Sequence, residues 1–386
     1  MTGSRRPSLL AVAGVAPWPM RGGFSLRAAH LLRELAADWD ITLVAPPTEM
    51  PGGGDGLPAT IAVLPVHLTP RWRSVPRGGI DVTRLREAVV KAVARNRPDV
   101  ALLWPGTEFL GFGRRGFPPA VADRVDCATL ERIRGIRWRP GALIQVAEAA
   151  CYERRLVRGL AATVAAGEDD AAGLRRLGGG PSPVVVIPNG VLAQSDPRFD
   201  REAPRPTVTF TGTLDYPPNV DAVRYFANAI WPSILQAVPD ACLQVAGRSP
   251  TRTVLQLGGR RRVEILPDVP DMVAVIQASW VVVAPMRSGV GIKNKVLEAW
   301  AAGRPVVQTA RATNGLRLND ETAALVANRP DGFARLVTEL LGDRDRRHRA
   351  GRDGLDLVRS RHTWSGAAQA LSEVLRSAIE AAPGST

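Results

Sequence analysis

The chain is poor in cysteine, histidine and aromatic residues. Its three cysteines, Cys127, Cys151 and Cys242, show no CxxC spacing, so we predict neither a disulfide framework nor a zinc site. The thiols are expected to be small buried residues in a reducing compartment. None of the four histidines shares a short motif with Asp or Glu at ligand spacing, so no metal is assigned.

Long apolar runs are also missing. No segment approaches the roughly 18 uncharged apolar residues of a membrane-spanning helix. The start, SRRPSLLAVAGVA, imitates a secretory signal peptide, with basic residues before a short apolar run. Its removal would delete a predicted first strand just before a glycine turn and an amphipathic helix. We therefore predict that the segment is retained and that the protein is cytoplasmic, with peripheral contact at the inner membrane face as an option.

Length and patterning predict two domains. A chain of 386 residues exceeds the roughly 250 to 300 at which a single core stops growing. Apolar strand-like runs alternate with helices such as 23–37, which predicts doubly wound parallel sheets that hold ligands beyond the carboxyl ends of their strands. The predicted domains are residues 1–195 and 206–362, with a polar linker at 193–206 and a final helix in 363–386. In the first domain we predict strands at 9–13, 41–44, 61–64, 100–103, 163–165 and 184–187.

Residues 285–307, PMRSGVGIKNKVLEAWAAGRPVV, are the most informative stretch. They follow the apolar run ASWVVVAP, so the order is buried strand, glycine turn and helix, with the helix expected to begin at residue 291. Unpaired backbone N–H groups at a helix start favour anions, and Gly289 and Gly291 would let a phosphate approach closely. Lys293 and Lys295 add positive charge there.

The same helix presents an acid on its polar face. Val296, Leu297 and Trp300 recur with Ile292 at the spacing of a buried face, whereas Glu298 falls on the face of Lys295, about 10 Å beyond residue 291. That interval fits a nucleotide diphosphate whose ribose hydroxyls reach the carboxylate. The alternative is an exposed acid paired with Lys295 at i,i+3 spacing.

This segment resembles the nucleotide-sugar motif of retaining glycosyltransferases of family 4, which have the two-lobed GT-B fold. Five further segments resemble the family and occur in its order. They are PNGV at 188–191, GTLDYPPNVDAVRYF at 212–226, VAGRSP at 245–250, the run from Leu266 and GRPVVQTARATNGL from Gly303. The resemblance covers most of the chain, and a subgroup linked to exopolysaccharide and natural-product sugar transfer is the most similar. It implies an α/β GT-B fold with two Rossmann-like lobes, each a doubly wound parallel sheet, and a cleft between the lobes.

The chain departs from the better-known members at two places. Their first glutamate, seven residues before Glu298, is Val290 here, so its contact with the donor sugar would come from backbone N–H groups of Gly291 and Ile292. Their basic pair at the start of the second lobe is replaced by 213–215. These departures make Arg287, Lys293 and Lys295 the expected countercharges for the diphosphate.

The resemblance further implies which residues bind the donor, a UDP- or GDP-linked sugar that acts as co-substrate with no other cofactor. The loop at 266–268 would contact the base through its backbone. The predicted donor-binding residues are Gly22, Gly23, Gly212, Arg248, Leu266, Pro267, Asp268, Gly289, Gly291, Ile292, Lys293, Asn294 and Glu298. For Gly22 and Gly23, which head the first helix, a purely structural turn is the alternative.

The chemistry implied is metal-independent transfer with retention, in which the leaving diphosphate accepts the acceptor's proton and no covalent enzyme nucleophile forms. The protein then supplies positioning and charge, with Arg287, Lys295 and Asp126 as candidate catalytic residues. Asp123 and Asp126 are the best acidic candidates for the acceptor side, and loop acids on the surface are the alternative. For Glu153, on a helix beside arginines, a solvated charged face is favoured.

Net charge is +13, from 50 Lys plus Arg against 37 Asp plus Glu. GFGRRGF and ERIRGIRWRP, in the first domain, concentrate this charge. Contact with anionic lipid, binding of an anionic acceptor and a merely solubilising surface are the three interpretations left open. The acceptor is expected to be a hydroxyl of a glycan, a lipid-linked sugar or a small natural product.

Two other functions remain as alternatives. An epimerase of the same fold would use Glu298 identically but needs acids and bases at the sugar, which are scarce near Val290. A basic nucleic-acid-binding protein is disfavoured by the 5% aromatic content and the absence of a recognisable binding module, so no nucleic-acid partner is predicted.

Overall fold

The computed structural model describes residues 5–20, 22–47, 57–67, 82–112, 116–134, 141–180, 182–192, 201–289, 293–316 and 318–382. These residues divide into two compact units. The first is Met1–Pro188 with Trp364–Thr386, and the second is Asn189–Thr363.

Each unit is built on one parallel sheet. The first has seven strands in the order β3-β2-β1-β4-β5-β6-β7, and the second has five in the order β10-β9-β8-β11-β12. Most strands are short runs of Val, Leu, Ile and Ala, and the central ones are buried on both faces, as a sheet covered by helices requires. The strands are β1 (Ser8–Val12), β2 (Asp40–Ala45), β3 (Ala62–Pro65), β4 (Val100–Leu103), β5 (Ala120–Val125), β6 (Ala162–Ala165), β7 (Val184–Val186), β8 (Thr207–Thr211), β9 (Cys242–Gly247), β10 (Val263–Pro267), β11 (Val281–Ala284) and β12 (Val306–Gln308).

Helices connect most successive strands and cover the sheets, which confirms the predicted fold class of two doubly wound α/β lobes. The helices are α1 (Gly23–Leu35), α2 (Val82–Asn96), α3 (Ala128–Arg134), α4 (Ala142–Gly159), α5 (Glu168–Gly178), α6 (Pro217–Tyr225), α7 (Trp231–Ala237), α8 (Arg252–Leu255), α9 (Met272–Ala278), α10 (Asn294–Ala301), α11 (Asp320–Ala324), α12 (Pro330–Gly342), α13 (Arg344–Arg361) and α14 (Trp364–Glu380). A π-helical turn, Phe226–Ile230, joins α6 to α7. No helix in the described part of the chain is long and apolar enough to cross a membrane.

The strands predicted for the first domain are present within one or two residues. The pattern did not identify β5, whose sequence AVADRV carries two charged residues and so does not look like a buried strand. The last helix, α14, packs on α1 in the first unit. Its Trp364 ring stacks on His30 with centroids 4.8 Å apart, and Trp39 Nε1 donates to Ser372 Oγ at 2.9 Å.

Part of the predicted linker is not a loose connection. Residues 193–200 lie outside the described residues, but Glu202 is largely buried in the second unit. Its two carboxylate oxygens accept from Arg347 Nε and Nη2 at 2.7 and 2.8 Å, and Arg304 Nη1 lies 3.5 Å away. Arg347 also lies over the Trp280 ring at 4.2 Å. This ion cluster fixes the start of the second sheet.

Candidate functional site

The second sheet reverses its strand order between β8 and β11, which are neighbours although β9 and β10 lie between them in the chain. Loops that leave the carboxyl ends of two such strands diverge toward opposite faces of the sheet and leave a crevice. Open α/β sheets bind ligands at this point. The loop after β8 carries Gly212 and the loop after β11 carries Arg287, both of which are predicted site residues.

Glycines allow the backbone to come unusually close at this edge. Gly212 has φ +151°, and a methyl group on Gly247 would lie 1.7 Å from the Gly212 carbonyl oxygen. A methyl group on Gly212 would lie 2.8 Å from Asn219 Nδ2 and 3.0 Å from Lys295 Nζ. Glycine at 212 therefore leaves room for a side-chain amine at the end of β8, and glycine at 247 lets the Gly212 carbonyl approach.

The amine that occupies this space belongs to Lys295, which is only 8% exposed. Its Nζ donates to Asn219 Oδ1 at 2.8 Å, lies 3.9 Å from Met286 Sδ and stands 3.9 Å from the centroid of the Phe210 ring. Asn219 Nδ2 donates to the Thr213 carbonyl at 2.9 Å, which fixes the amide so that its oxygen faces the lysine. Burial lowers the pKa of Lys295 to about 7.

Sequence reasoning identified Lys295 but not its partners. Asn219 and Phe210 lie 76 and 85 positions away in the chain, and the polar Asn219 looks locally like a residue of the PPN turn that starts α6. The signal that could have found it is a polar residue in the first turn of the helix that follows β8, next to the carboxyl end of that strand.

The helix after the glycine turn begins later than predicted. Lys293 has non-helical backbone angles, φ −87° and ψ 90°, and its carbonyl accepts from Val296 N, so the helix starts at Asn294 rather than at 291. The predicted buried face is confirmed for Val296, Leu297 and Trp300, while Ile292 and Gly291 lie outside the described residues. The later start shortens the distance along the axis from the helix start to residue 298 to about 6 Å.

Glu298 is half-buried on the solvent side of α10, one turn from Asn294. Its carboxylate has no hydrogen-bond or ion-pair partner among the described residues. Burial raises its pKa, and the Lys295 amine opposes that shift. The alternative of an exposed acid ion-paired with Lys295 is therefore wrong, because the amine turns to Asn219 instead.

Unlike the Glu298 carboxylate, the Arg287 guanidinium has partners within the protein. Its Nε donates to Asp221 Oδ2 at 3.0 Å, its Nη2 donates to Asp221 Oδ1, and its guanidinium lies over the Tyr225 ring at 4.5 Å. Asp221, on α6, is a partner that the sequence did not reveal. These bonds raise the pKa of Arg287, and the side chain is about half exposed.

Gly289, Lys293 and Asn294 each have close neighbours in the second unit. A methyl group on Gly289, which has φ +97°, would lie 3.4 Å from Lys293 Nζ and 3.4 Å from Pro218 Cβ. Asn294 Oδ1 accepts from Asn189 Nδ2 at 3.0 Å, and the Asn189 carbonyl lies 3.2 Å from His362 Nδ1. The first turn of α10 is thus tied to residues at the two ends of the second unit.

The predicted base-binding loop lies at the carboxyl end of β10. Asp268 has φ +47°, its N–H donates to the Gly247 carbonyl at 2.9 Å, and its carboxylate accepts from Ser249 N at 3.3 Å. Leu266 and Pro267 end the strand before it. Arg248 is exposed, and its carbonyl accepts from Leu214 N at 2.8 Å. The residues of this loop lie at the same sheet edge as Lys295.

The other predicted residues belong to the first unit. Gly22 and Gly23 head α1 and are exposed, and the Gly22 N–H already donates to Ser25 Oγ at 3.0 Å. Gly22 has φ −154°, which any residue adopts, so its backbone does not require glycine. They follow β1, beside the point where β1 and β4 become neighbours and the strand order of the first sheet reverses.

One of the two acids predicted for the acceptor side is structural. Asp123 is fully buried on β5, where it accepts from Arg27 Nε at 2.8 Å and Nη2 at 3.0 Å and from Trp104 Nε1 at 3.1 Å. The prediction that Asp123 binds an acceptor, or lies on a surface loop, is wrong because its oxygens are saturated in the core. Asp126 lies half-buried in the turn after Val125, which has φ +65°.

Glu153 is also fully buried, so the expected solvated face is wrong there. Its carboxylate accepts from Ala128 N at 2.7 Å, Thr129 N at 3.1 Å and Thr129 Oγ1 at 2.6 Å. It therefore caps the start of α3, where the N–H groups are otherwise unpaired. Of the cysteines, Cys127 and Cys242 are buried as expected, but Cys151 is exposed. Arg114, Arg115 and residues 135–140 of the two basic segments lie outside the described residues.

Two family models match consecutive parts of the chain. Residues 22–190 match the glycosyl transferase 4-like domain, and residues 205–343 match glycosyl transferases group 1. A curated relative, an uncharacterized 44.6 kDa protein in the cps region of Klebsiella pneumoniae, is 25% identical over 138 residues. That match covers 34% of this chain, and the chain spans only 36% of that relative.

Solved structures of similar fold cover nearly the whole chain. Sucrose-phosphate synthase from Thermosynechococcus elongatus has a TM-score of 0.73 at 15% identity, over 98% of this chain and 100% of that one. HepE of Anabaena, in complex with UDP and glucose, has a TM-score of 0.65 at 14% identity, over 96% and 100%. With a seven-stranded and a five-stranded parallel sheet and both family models matched in order, the chain belongs to the family 4 type of GT-B glycosyltransferases.

Proposed function

We propose that the protein is a retaining glycosyltransferase that moves a sugar from a UDP- or GDP-linked donor to a hydroxyl of an acceptor. The observation that carries the proposal is the pair of polar groups on α10. The buried amine of Lys295 and the carboxylate of Glu298 both lack an ionic partner among the described residues, one helical turn apart at the switch point.

A nucleotide diphosphate matches both groups. The diphosphate supplies the negative charge that Lys295 lacks, and the ribose supplies two hydroxyl donors for Glu298. The Anabaena neighbour has been crystallised with UDP and with UDP-glucose, which supports a donor of this class. The base would lie against Leu266, Pro267 and Asp268.

The chemistry requires the sugar to leave its diphosphate while the acceptor hydroxyl adds on the same face. In this proposal Arg287, Lys293 and Lys295 stabilise the departing diphosphate without a metal. The diphosphate accepts the acceptor's proton, so no enzyme nucleophile is needed. The roles predicted for Asp126, Gly22 and Gly23 of the first unit stay predictions.

The acceptor is a glycan, a lipid-linked sugar or a small natural product, and the protein acts in the cytoplasm. Contact with an anionic membrane surface is supported by large apolar side chains on the first unit, because Leu143 is 72% exposed and Ile144 is 65% exposed near the start of α4, which ends in exposed arginines. Unchanged sedimentation with and without anionic vesicles would remove the membrane contact from the proposal.

Calorimetry with UDP, GDP, ADP and TDP tests the donor site. We expect one of them to bind, to stabilise the protein by about 2.7 kcal/mol at 100 times its dissociation constant, and to bind about 1 to 3 kcal/mol more weakly to Glu298→Ala. Glu321→Ala, an exposed acid on α11 of the same unit, is the matched control. Equal affinities for wild type and Glu298→Ala would refute the ribose contact.

Turnover distinguishes transfer from the alternatives. A transferase releases free nucleotide diphosphate from its donor only when an acceptor is added, whereas an epimerase changes the sugar and keeps it on the nucleotide. Nucleic-acid binding with a steep salt dependence would favour the remaining alternative.

A further inference from the structure

Three cations lie at the switch point of the second sheet, and the structure holds them differently. Arg287 is bound by both oxygens of Asp221 and by the Tyr225 ring. Lys293 lies at the cap of α10. Lys293 and Lys295 are equally buried, each 8% exposed, and among the described residues Lys295 Nζ meets a single oxygen acceptor, Asn219 Oδ1.

This acceptor does not satisfy an ammonium group. A protonated lysine has three N–H donors, and among the described residues one meets an amide oxygen while Met286 sulfur at 3.9 Å and the Phe210 ring are weak partners. No carboxylate of the described residues lies within ion-pair distance of the amine. A buried charge without a counter-charge is strongly unfavourable, so these surroundings favour the neutral amine.

The charged neighbours do not change this balance. Glu298, on the same helix, favours the protonated amine, and Lys293 opposes it. The groups that face the amine from other elements are uncharged, namely Phe210 on β8, Asn219 on α6 and Met286 after β11. The nearby charges on Arg287 and Asp221 neutralise each other.

We infer that Lys295 is the cation that receives the donor's diphosphate and that it takes up a proton from solvent when the diphosphate binds, whereas Arg287 stays charged throughout. This inference rests on the proposed function and refines it. The only bond formed is N–H, because the neutral amine accepts one proton from the buffer and becomes the ammonium that pairs with a phosphate oxygen. The diphosphate supplies the missing counter-charge and acceptors together.

Proton uptake can be counted by isothermal titration calorimetry of UDP binding at pH 8.0 in HEPES and in Tris, whose ionisation enthalpies differ. If another of the four nucleotide diphosphates binds more tightly, it replaces UDP. The terminal phosphate, with a pKa near 6, is already ionised at that pH. With the pKa of the free amine at about 7, we expect an uptake of about 0.9 proton per ligand and an affinity that falls about tenfold per pH unit between pH 8 and 10.

Variants show which of the neighbouring cations takes up the proton. Lys295→Met should bind UDP at least tenfold more weakly, with no uptake and no pH dependence, and Lys295→Arg should bind without uptake because a guanidinium stays charged. Arg287→Gln and the surface control Lys91→Met should keep the wild-type uptake.

The other possible results of these titrations each refute a stated part of the inference. Tight binding by wild type without uptake, or uptake retained in Lys295→Met, refutes the inference and leaves the proposed function standing. Uptake lost in Arg287→Gln would reassign the role to Arg287. Absence of binding for all four nucleotide diphosphates refutes the inference and the proposed function together.

Discussion

Replacing Lys295 with methionine should stabilise the ligand-free protein. Methionine has a similar length, suits the apolar contacts with Phe210 and Met286, and carries no charge to bury. The free energy of unfolding of the wild type includes the cost of lowering the lysine's pKa from 10.5 to about 7, which is about 4 kcal/mol at pH 7.5. Losing the hydrogen bond to Asn219 costs about 1 to 3 kcal/mol, so the net gain is about 2 kcal/mol.

The pH dependence gives the sign of the effect. Because the folded-state pKa lies below the unfolded value, the unfolded chain binds more protons between pH 7 and 10.5. The penalty is therefore complete below pH 7, decreases as the pH rises and is absent above 10.5. The advantage of Lys295→Met should fall by about 2 to 3 kcal/mol between pH 7.5 and 9.5.

Thermal unfolding of the ligand-free protein measures the stabilisation by Lys295→Met and its pH dependence. For a unit of this size, 2 kcal/mol corresponds to a rise in Tm of about 4 to 8 °C at pH 7.5, in the transition of the second unit. The two units can unfold separately, so the transitions are analysed individually. Lys91→Met, an exposed substitution on α2 of the first unit, controls for the loss of one positive charge. A variant less stable than wild type, with a difference independent of pH, would refute the burial argument.

Two further substitutions test the framework of the second unit. Glu202→Gln should destabilise it by about 3 to 5 kcal/mol in urea unfolding, because two buried arginines lose their counter-charge. The paired arginines hold the pKa of Glu202 below its usual value. The stabilisation by Glu202 is therefore present above the pKa of the unfolded state and is lost as the pH falls through the pKa of the folded state. A difference in stability between Glu202→Gln and wild type that persists below the folded-state pKa would contradict this reasoning. Gly247→Ala should abolish nucleotide binding and lower Tm, because its methyl group would overlap the Gly212 carbonyl oxygen, whereas Gly259→Ala, where a methyl group meets nothing within 4 Å, should behave as wild type. Wild-type binding by Gly247→Ala would show that β8 and β9 separate easily.

The sequence could predict elements whose signal is local. Apolar periodicity located α1, most strands of the first sheet and the buried face of α10, because burial of one side of a helix or both sides of a strand imposes a repeat on neighbouring residues. It failed at β5, where two charged residues break the apolar run, and at the start of α10, where the backbone of Lys293 leaves the helical region. The roles assigned to Glu298 and the glycine turn remain predictions.

The sequence alone determined that this chain has two α/β lobes and a glycine turn followed by two lysines and a glutamate, since spacing and residue type specify both. Only the tertiary structure decided what each charge faces. Asp123 meets Arg27 across 96 positions, Arg287 meets Asp221 across 66, and Lys295 meets one amide oxygen across 76. Such contacts depend on the order of strands in the sheet, which brings distant loops to one edge and leaves no periodic trace in the chain.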